Sequence, residues 1–264
     1  MTIAVSWIRK VGRAQELLVC TDSRLTGYGT WDCAPKLIAL SRGDCAIAFA
    51  GSTNYAYPIL LQVVAIMKQH PRIANRSMDL LELKNHLLRV LNSMVALIVE
   101  LPVKENPPVS FLFSGWSWRS SSFVSWVLHF DPQLARFTHR PLQGWSGPDQ
   151  AKHLAFIGDH FGAFKDLLVE RLRQKEKLAS GAFDMEPFEA VRDLLRRADL
   201  REIGGAPQLV KIYRHANATP HAIYWPDRES ESISLLGRPL LDYERSYFPL
   251  LNPDTLEVER QTLG

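Results

Sequence analysis

Ala46-Ile47-Ala48-Phe49-Ala50-Gly51-Ser52-Thr53-Asn54 is the stretch on which the fold turns. Together with Cys45, its first five residues make a short run that is apolar nearly throughout, as a strand covered on both faces requires. Gly51 ends the run, and Ser52, Thr53 and Asn54 are all good helix N-caps. From Tyr55 to Gln69 apolar positions recur at helical spacing, until Pro71 interrupts them. Within four residues the chain changes from strand to helix.

Upstream of this junction the sequence reads as strands. Lys36 to Leu40 precedes it across the turn Ser41-Arg42-Gly43-Asp44, and Gly27 and Gly29 mark a polar segment before that. Ile3 to Trp7 and Leu17 to Thr21 form a hairpin whose generous loop, Arg9 to Glu16, contains Gly12. Downstream, Asp79 caps a second helix running to about Glu100, with Leu80, Leu83, Leu87, Leu91, Met94, Leu97 and Ile98 at steps of three and four. Pro102, Pro107 and Pro108 end it. Strands return at Val109 to Phe113, Phe123 to Phe130, Leu134 to His139 and Leu154 to Ile157, the turn Asp131-Pro132-Gln133 joining the second and third. Helices follow at Gly162 to Lys177 and Glu186 to Leu200, then strands at Gln208 to His215, Ala222 to Trp225 and Ile233 to Leu236.

The order is thus strands, two helices, strands, two helices, strands. A doubly wound parallel sheet fits it badly, because strands and helices do not alternate one for one. An α+β fold fits: a four-layer α/β/β/α sandwich of two mainly antiparallel sheets, each covered by a helix pair. No linker or repeat divides residues 1–264, which read as a single domain with a polar, peripheral tail from about Asn252.

Composition agrees with a folded, soluble chain. Of 264 residues, 46 % are hydrophobic and 22 % charged, which excludes wholesale disorder. A net charge of +3 is too small and too scattered for a nucleic-acid partner. The best apolar run, Met94 to Val99, is interrupted by Glu100 and Pro102, well short of the ~18 residues of a membrane span. The first seven residues lack the basic flank and apolar block of a signal peptide, so a cytoplasmic location is expected. Cys20, Cys33 and Cys45 are odd in number and lack Cys-x-x-Cys spacing, so they read as buried thiols. His86 and His153 read as surface or satisfied histidines, and no spacing suggests a metal site or a phosphate loop at Gly204-Gly205; no cofactor is expected. Trp116, Trp118 and Trp126, on adjacent strands, suit packing or a subunit contact.

Thr2 is the most informative position. Processing removes an initiator methionine that precedes a small residue, which would leave Thr2 as the mature N-terminus. Its α-amine, with an ordinary pKa near 8, can then serve as general base for the neighbouring hydroxyl. Asp22, leaving the second strand in Thr21-Asp22-Ser23-Arg24, and Lys36, opening the next run, are each ordinary solvated strand ends when read alone. Read together, they can pair and hold an ammonium beside Thr2, where it stabilises developing negative charge on the hydroxyl oxygen. The Gly51 N–H, at a strand-to-helix junction with no side chain to block substrate, suits an oxyanion hole.

This set of residues resembles the proteasome β-subunits and the simpler bacterial peptidases of the same group, which are N-terminal nucleophile hydrolases. The matching pieces are Thr2-Ile3-Ala4-Val5, Thr21-Asp22-Ser23-Arg24, Pro35-Lys36-Leu37-Ile38 and Ala46 to Thr53. The resemblance implies Thr2 as nucleophile, Asp22 and Lys36 as its charged support, and Gly51 as oxyanion donor. Asp22 to Lys36 is 14 residues and Lys36 to Gly51 is 15, near the family's pattern; Thr2 to Asp22, at 20, is longer, the excess assigned to the first hairpin loop. It further implies a peptide or unfolded-protein substrate, a homo-oligomeric ring or spiral, and an ATP-dependent unfoldase as a possible partner.

Two later segments depart from the family. Gly158-Asp159-His160 stands where Gly-Ser-Gly is usual, and Ile203 and Leu200 replace a serine and an aspartate, with Asp199 one step away. Those polar groups orient the threonine amine. Asp159 can hold a protonated amine in their place, but a close carboxylate also raises the amine's pKa. A threonine peptidase is the leading expectation. A catalytically weak or inactive assembly subunit, or an amidase of the same fold, is the alternative.

Overall fold

The computed structural model describes residues 2–27, 29–99, 108–140, 153–179, 183–215 and 217–259. In chain order the strands and helices are β1 (Ile3–Val11), β2 (Ala14–Thr21), β3 (Leu25–Thr26), β4 (Thr30–Trp31), β5 (Leu37–Ala39), β6 (Cys45–Gly51), α1 (Thr53–Gln69), α2 (Pro71–Ala74), α3 (Leu80–Val95), β7 (Val109–Ser117), β8 (Ser122–Asp131), β9 (Arg136–Arg140) and β10 (Leu154–Gly158). They continue with α4 (Phe161–Gln174), α5 (Glu186–Leu195), β11 (Gln208–Tyr213), β12 (Asn217–Tyr224), β13 (Ile233–Leu235), β14 (Arg238–Pro239), β15 (Leu250–Leu251) and β16 (Val258–Glu259). One sheet has the order β10-β1-β2-β11-β12-β13-β14, and another β5-β6-β7-β8-β9; β3 and β4 pair only with each other. Among the described strands every pairing is antiparallel except β12 with β15.

Strand parity explains the packing. Successive side chains point to opposite faces, so Ile3, Val5 and Trp7 of β1 meet Phe164, Leu168 and Leu172 of α4 and Phe188, Val191 and Leu194 of α5 in one core. Ala4, from the other face, joins Val19, Ile157 and Val210 against Ala46, Ala48, Leu112 and Val127 of the second sheet. That sheet's far face (Ile47, Phe49, Phe111, Phe113) packs on Ile59, Leu60 and Val63 of α1 and Leu83, Leu87 and Leu91 of α3. The alanines of β6 face the opposing sheet and its large residues face the helices, so the two sheets approach closely. Each fully buried leucine, isoleucine or phenylalanine contributes about 1.5–3 kcal/mol.

Several boundaries differ from the sequence reading. The first hairpin has no generous loop: β1 and β2 pair from Ala4↔Thr21 to Val11↔Ala14, and Gly12-Arg13 alone make the turn, Gly12 at φ 60°. The extra residues between Thr2 and Asp22 therefore lengthen strands, with Arg9 paired to Glu16 and Asp184 holding the extension. Asp79 does cap α3, accepting from Leu81 N at 3.0 Å. The helix nevertheless stops at Val95, not Glu100. Leu97 and Val99 keep the apolar period but are 78 % and 93 % exposed, with no described residue covering them. Glu100, Pro102 and Pro107, expected to bound this helix, lie outside the described residues.

The break at Pro71 becomes the first turn of α2, where a proline's missing N–H costs nothing. Helix α5 ends at Leu195 rather than Leu200; Arg196 leaves the helix to bind Asp254 and the Pro226 carbonyl. β12 begins at Asn217, five residues early, and takes Pro220 into the ladder opposite Val210. Trp118 sits in the turn after β7 rather than on a strand, half-exposed and donating to the Arg76 carbonyl. Trp126 stacks on Phe113 and Trp116 meets the edge of Phe123. Cys20 and Cys45 are buried, but Cys33 is only partly so. Just after Asn252 the described chain is tied down: Leu256 packs on the helix-side core, and Arg192 reaches the Pro253 carbonyl.

His221, on β12, is 2 % exposed, and burial followed by the nearby Lys211 charge pulls its pKa down to about 4. A base with a lowered folded pKa stabilises the fold above its unfolded pKa, near 6.5, and that contribution is lost as pH falls from about 6.5 to about 4. The drop in unfolding free energy between pH 7 and pH 4, measured by urea titration, is expected to be about 3 kcal/mol smaller in His221→Asn than in the parent chain.

Candidate active site

Five segments converge at one end of the seam between the two sheets. Thr2 lies just before β1 and is 1 % exposed; Asp22 follows β2, Lys36 precedes β5, Asp159 follows β10, and Gly204 lies on the approach to β11. Lys36 Nζ donates to Thr2 Oγ1 at 2.9 Å and to both carboxylate oxygens of Asp22 at 3.0 Å. Asp22 is held in turn by three backbone N–H groups: Ile3 N donates to Oδ1 at 3.2 Å, while Arg24 N and Gly204 N donate to Oδ2 at 3.2 and 3.4 Å. Asp159 pairs reciprocally with Thr2, its N donating to Thr2 O at 2.8 Å and its Oδ2 accepting from Thr2 N at 3.1 Å.

Both members of the ion pair are fully buried. Burial is the dominant influence on each: it lowers the Lys36 ammonium from its usual range against the pull of Asp22, and raises the Asp22 carboxyl against the pull of Lys36. Lys36 therefore holds its protons less tightly than a surface lysine, and the Thr2 hydroxyl oxygen is one of the three oxygens to which it donates. The arrangement can stabilise an alkoxide at Thr2.

Two glycines permit the close approaches. Gly158 has φ 105°, and a Cβ there would stand 2.0 Å from Thr2 O, where only glycine lets β10 close on the start of the chain. Gly51 has φ 109°, and a Cβ would stand 2.0 Å from the Pro108 carbonyl. It is the exposed last residue of β6, paired with Val109.

Thr2, Asp22, Lys36 and Asp159 are thus in direct contact, and Gly51 terminates the strand that runs antiparallel to the one Lys36 precedes. Met1 lies outside the described residues. Ile203 is buried in the apolar core behind the site, Leu200 packs at its border, and Asp199 is exposed and turned to Arg197. None of these three supplies a polar group to Thr2 in the hydrogen bonds of the described residues. His160, at φ 63°, points to Glu202 at 3.6 Å.

One supporting residue escaped the sequence reading. Gln208, fully buried at the start of β11, accepts from Lys36 N and Leu37 N at 3.0 Å each and donates to Ala34 O at 2.6 Å and Asp22 O at 3.4 Å. It clamps the backbone on both sides of the ion pair. A glutamine opening a largely apolar buried strand was the available signal. Among the described residues no cluster of three His, Cys, Asp or Glu side chains is arranged to hold a metal ion, and no helix is long and apolar enough to cross a membrane.

A solved structure of Anbu shares this fold. That structure, a Gly-1 mutant from Hyphomicrobium sp. strain MC1, superposes with a TM-score of 0.56 over 90 % of this chain and 88 % of its own, at 13 % identity. At this identity the likeness is one of fold. No protein-family model and no curated protein sequence matches the chain.

Removing one member of a buried ion pair leaves the other uncompensated, at a cost of about 3–5 kcal/mol. Asp22→Asn strands Lys36 and leaves only one of the two oxygens that the backbone N–H groups use, so a loss of at least that size in unfolding free energy is expected. Adding Lys36→Met in the same chain should recover most of it, read by denaturant titration.

Proposed function

We propose that the chain is a proteasome-like threonine hydrolase that cuts peptide bonds through Thr2 after loss of Met1. The observation that carries this reading is the Lys36 ammonium at 2.9 Å from Thr2 Oγ1, fixed there by a buried Asp22. The three apolar cores are read as the seams of a four-layer α/β/β/α sandwich, the N-terminal nucleophile hydrolase architecture, and likeness to Anbu supports it.

In this mechanism the free Thr2 amine takes the proton of its own hydroxyl as Oγ1 attacks the substrate carbonyl. Lys36 stabilises charge on Oγ1, and the Gly51 N–H receives the carbonyl oxygen as it becomes an oxyanion. Collapse of the tetrahedral intermediate breaks the C–N bond, and the amine's proton passes to the leaving nitrogen. Water, deprotonated by the same amine, then hydrolyses the Thr2 ester. Asp159 orients the amine. A cytoplasmic homo-oligomer, ring or spiral, fed by an ATP-dependent unfoldase, completes the reading; light scattering at micromolar protein should give an oligomer, and a monomer contradicts that part.

One observation favours a second reading. Asp159 stands where the family has serine, and its carboxylate accepts from the Thr2 backbone N at 3.1 Å; once loss of Met1 turns that nitrogen into an amine, a carboxylate there favours its protonated form. A weakly active subunit, or an amidase with a less demanding substrate, follows if the amine stays protonated.

Intact-mass measurement after treatment with a β-lactone tests the main reading. The expected result is loss of Met1 and one adduct per chain, abolished by Thr2→Ala; retained Met1 or an adduct that survives Thr2→Ala contradicts it. A free amine must lose its proton to act as base, so kcat/KM should rise with pH along a limb set by that amine, and a carboxylate beside it holds the limb toward higher pH. Asp159→Ser should move that limb to lower pH.

A further inference from the structure

The seam between the two sheets is filled unevenly. Opposed residues of neighbouring strands share a face, so the second sheet meets the first in rows. Ala48, Leu112 and Val127 form one row, Ala46, Ser114 and Ser125 the next, and Trp116 and Phe123 the one after. The rows on either side carry large side chains, and the middle one carries none. Facing it from β1 is Ser6, which alternates with Ala4 and Ile8 on the seam side and donates to Ser125 Oγ at 3.2 Å. Small side chains thus meet small side chains between sheets that stack about 10 Å apart, and a cavity of about 180 Å³ remains there.

The walls of the cavity are of two kinds. Ile8 and Leu17, partners across β1 and β2, are apolar, as is Phe123; Ser6, Ser125 and His153 are polar. It opens to solvent beside the exposed His153 and the half-buried Ile8. Ser6 and Ser125 are buried, and the bond between them uses one of their two hydroxyl protons. Ser114, directly opposite Ser125 on the same face, is fully buried, and its Oγ has no partner among the described residues. A buried hydroxyl left without a partner is costly. Here spare donor and acceptor capacity stands where the seam leaves room beside it. Among the described residues no Asp, Glu, Lys or Arg lines the cavity, so a charged occupant would leave water without a counter-charge. Ser6 stands four residues from Thr2 along extended β1, about 13 Å away, so this is not the Thr2 site.

We propose that this cavity is a binding site for a small, neutral, single-ring aromatic carrying one hydroxyl group, a phenol. An apolar cavity of about 150 Å³ takes a benzene ring, so this one has room for a ring and its hydroxyl. A flat ring suits a slot between two sheets, where Phe123 offers an aromatic contact and Ile8 and Leu17 an aliphatic one. The ligand hydroxyl both donates to and accepts from the seryl hydroxyls, which do the same. A hydrocarbon ring leaves them unpaired, and a site built to hydrogen-bond its ligand rejects the analogue that cannot. A carboxylate brings a charge that nothing on the walls balances. Binding here is independent of the chemistry at Thr2.

Calorimetric titration of the full chain with phenol, toluene and benzoate tests this. One phenol per chain is expected, with a dissociation constant below about 1 mM, within reach of so small a ligand. Phenol should bind roughly fivefold more tightly than toluene, the worth of one net hydrogen bond, and benzoate should not bind. In the Ser6→Ala/Ser125→Ala double variant the two rings should bind about equally, a comparison within one sample that does not depend on how much of it is folded. Ser125→Leu, which fills the cavity, should keep a cooperative unfolding transition and bind neither ring. The unfolding midpoint of the parent chain should rise with phenol and not with benzoate. The proposal is overturned by any of four results: no saturable phenol binding, which means a cavity that holds water only; phenol binding that survives Ser125→Leu; benzoate bound as well as phenol; or a phenol-to-toluene ratio near parity in the parent or unmoved in the double variant.

Discussion

A lysine ammonium and an aspartate carboxylate, both removed from solvent, are the constraint around which this end of the molecule is organised. Taking two charges out of water costs several kcal/mol each, recovered only when geometry is good and the remaining acceptors are filled. Here Asp22 receives both a bidentate contact from Lys36 and three backbone N–H groups, from the start of β1, from the segment after β2 and from the approach to β11. Gln208 then pins the backbone of Lys36 itself. The pair is thus a meeting point of segments distant in sequence, and the Thr2 hydroxyl is the third partner of the ammonium.

The rest of the fold serves that meeting. Alanines on β6 and small residues on β1 face each other across the seam, so the sheets lie close enough for a lysine before β5 to reach a threonine before β1. Larger side chains on the outer faces draw in the helix pairs, α4 with α5 and α1 with α3. Gly158 lets β10 close on the first residues, which carries Asp159 to Thr2.

Much of this was legible in the sequence because it rests on local pattern. The strand-to-helix change at Gly51, the Asp79 cap and the order of elements follow from periodicity and caps, which depend on neighbouring residues. The juxtaposition of Thr2, Asp22 and Lys36 was legible as a chemical possibility, and resemblance supplied the expectation that they meet, since nothing local says that two strand ends will. What escaped has physical reasons. The first hairpin looked like a long loop because Arg9 to Glu16 is polar, yet Arg9 and Glu16 form an ion pair across extended strands. The apolar period past Val95 overran the helix because periodicity reports amphipathicity, not whether a partner surface exists. Gln208 was read as a strand opening, because its role is to satisfy backbone groups that become neighbours only after folding.

Asp159 has two opposed effects under the proposed function: its carboxylate would orient the Thr2 amine and would also oppose the deprotonation that a base requires. The most direct test is a crystal structure of the mature protein treated with a peptide epoxyketone, a reagent that closes a ring only on an amine and a hydroxyl carried by the same terminal residue. The expected structure has a chain beginning at Thr2, a ring joining its nitrogen and Oγ1, and the Lys36 ammonium still within hydrogen-bond distance of that oxygen. A chain that retains Met1, or a reagent bonded to some other residue, would contradict it.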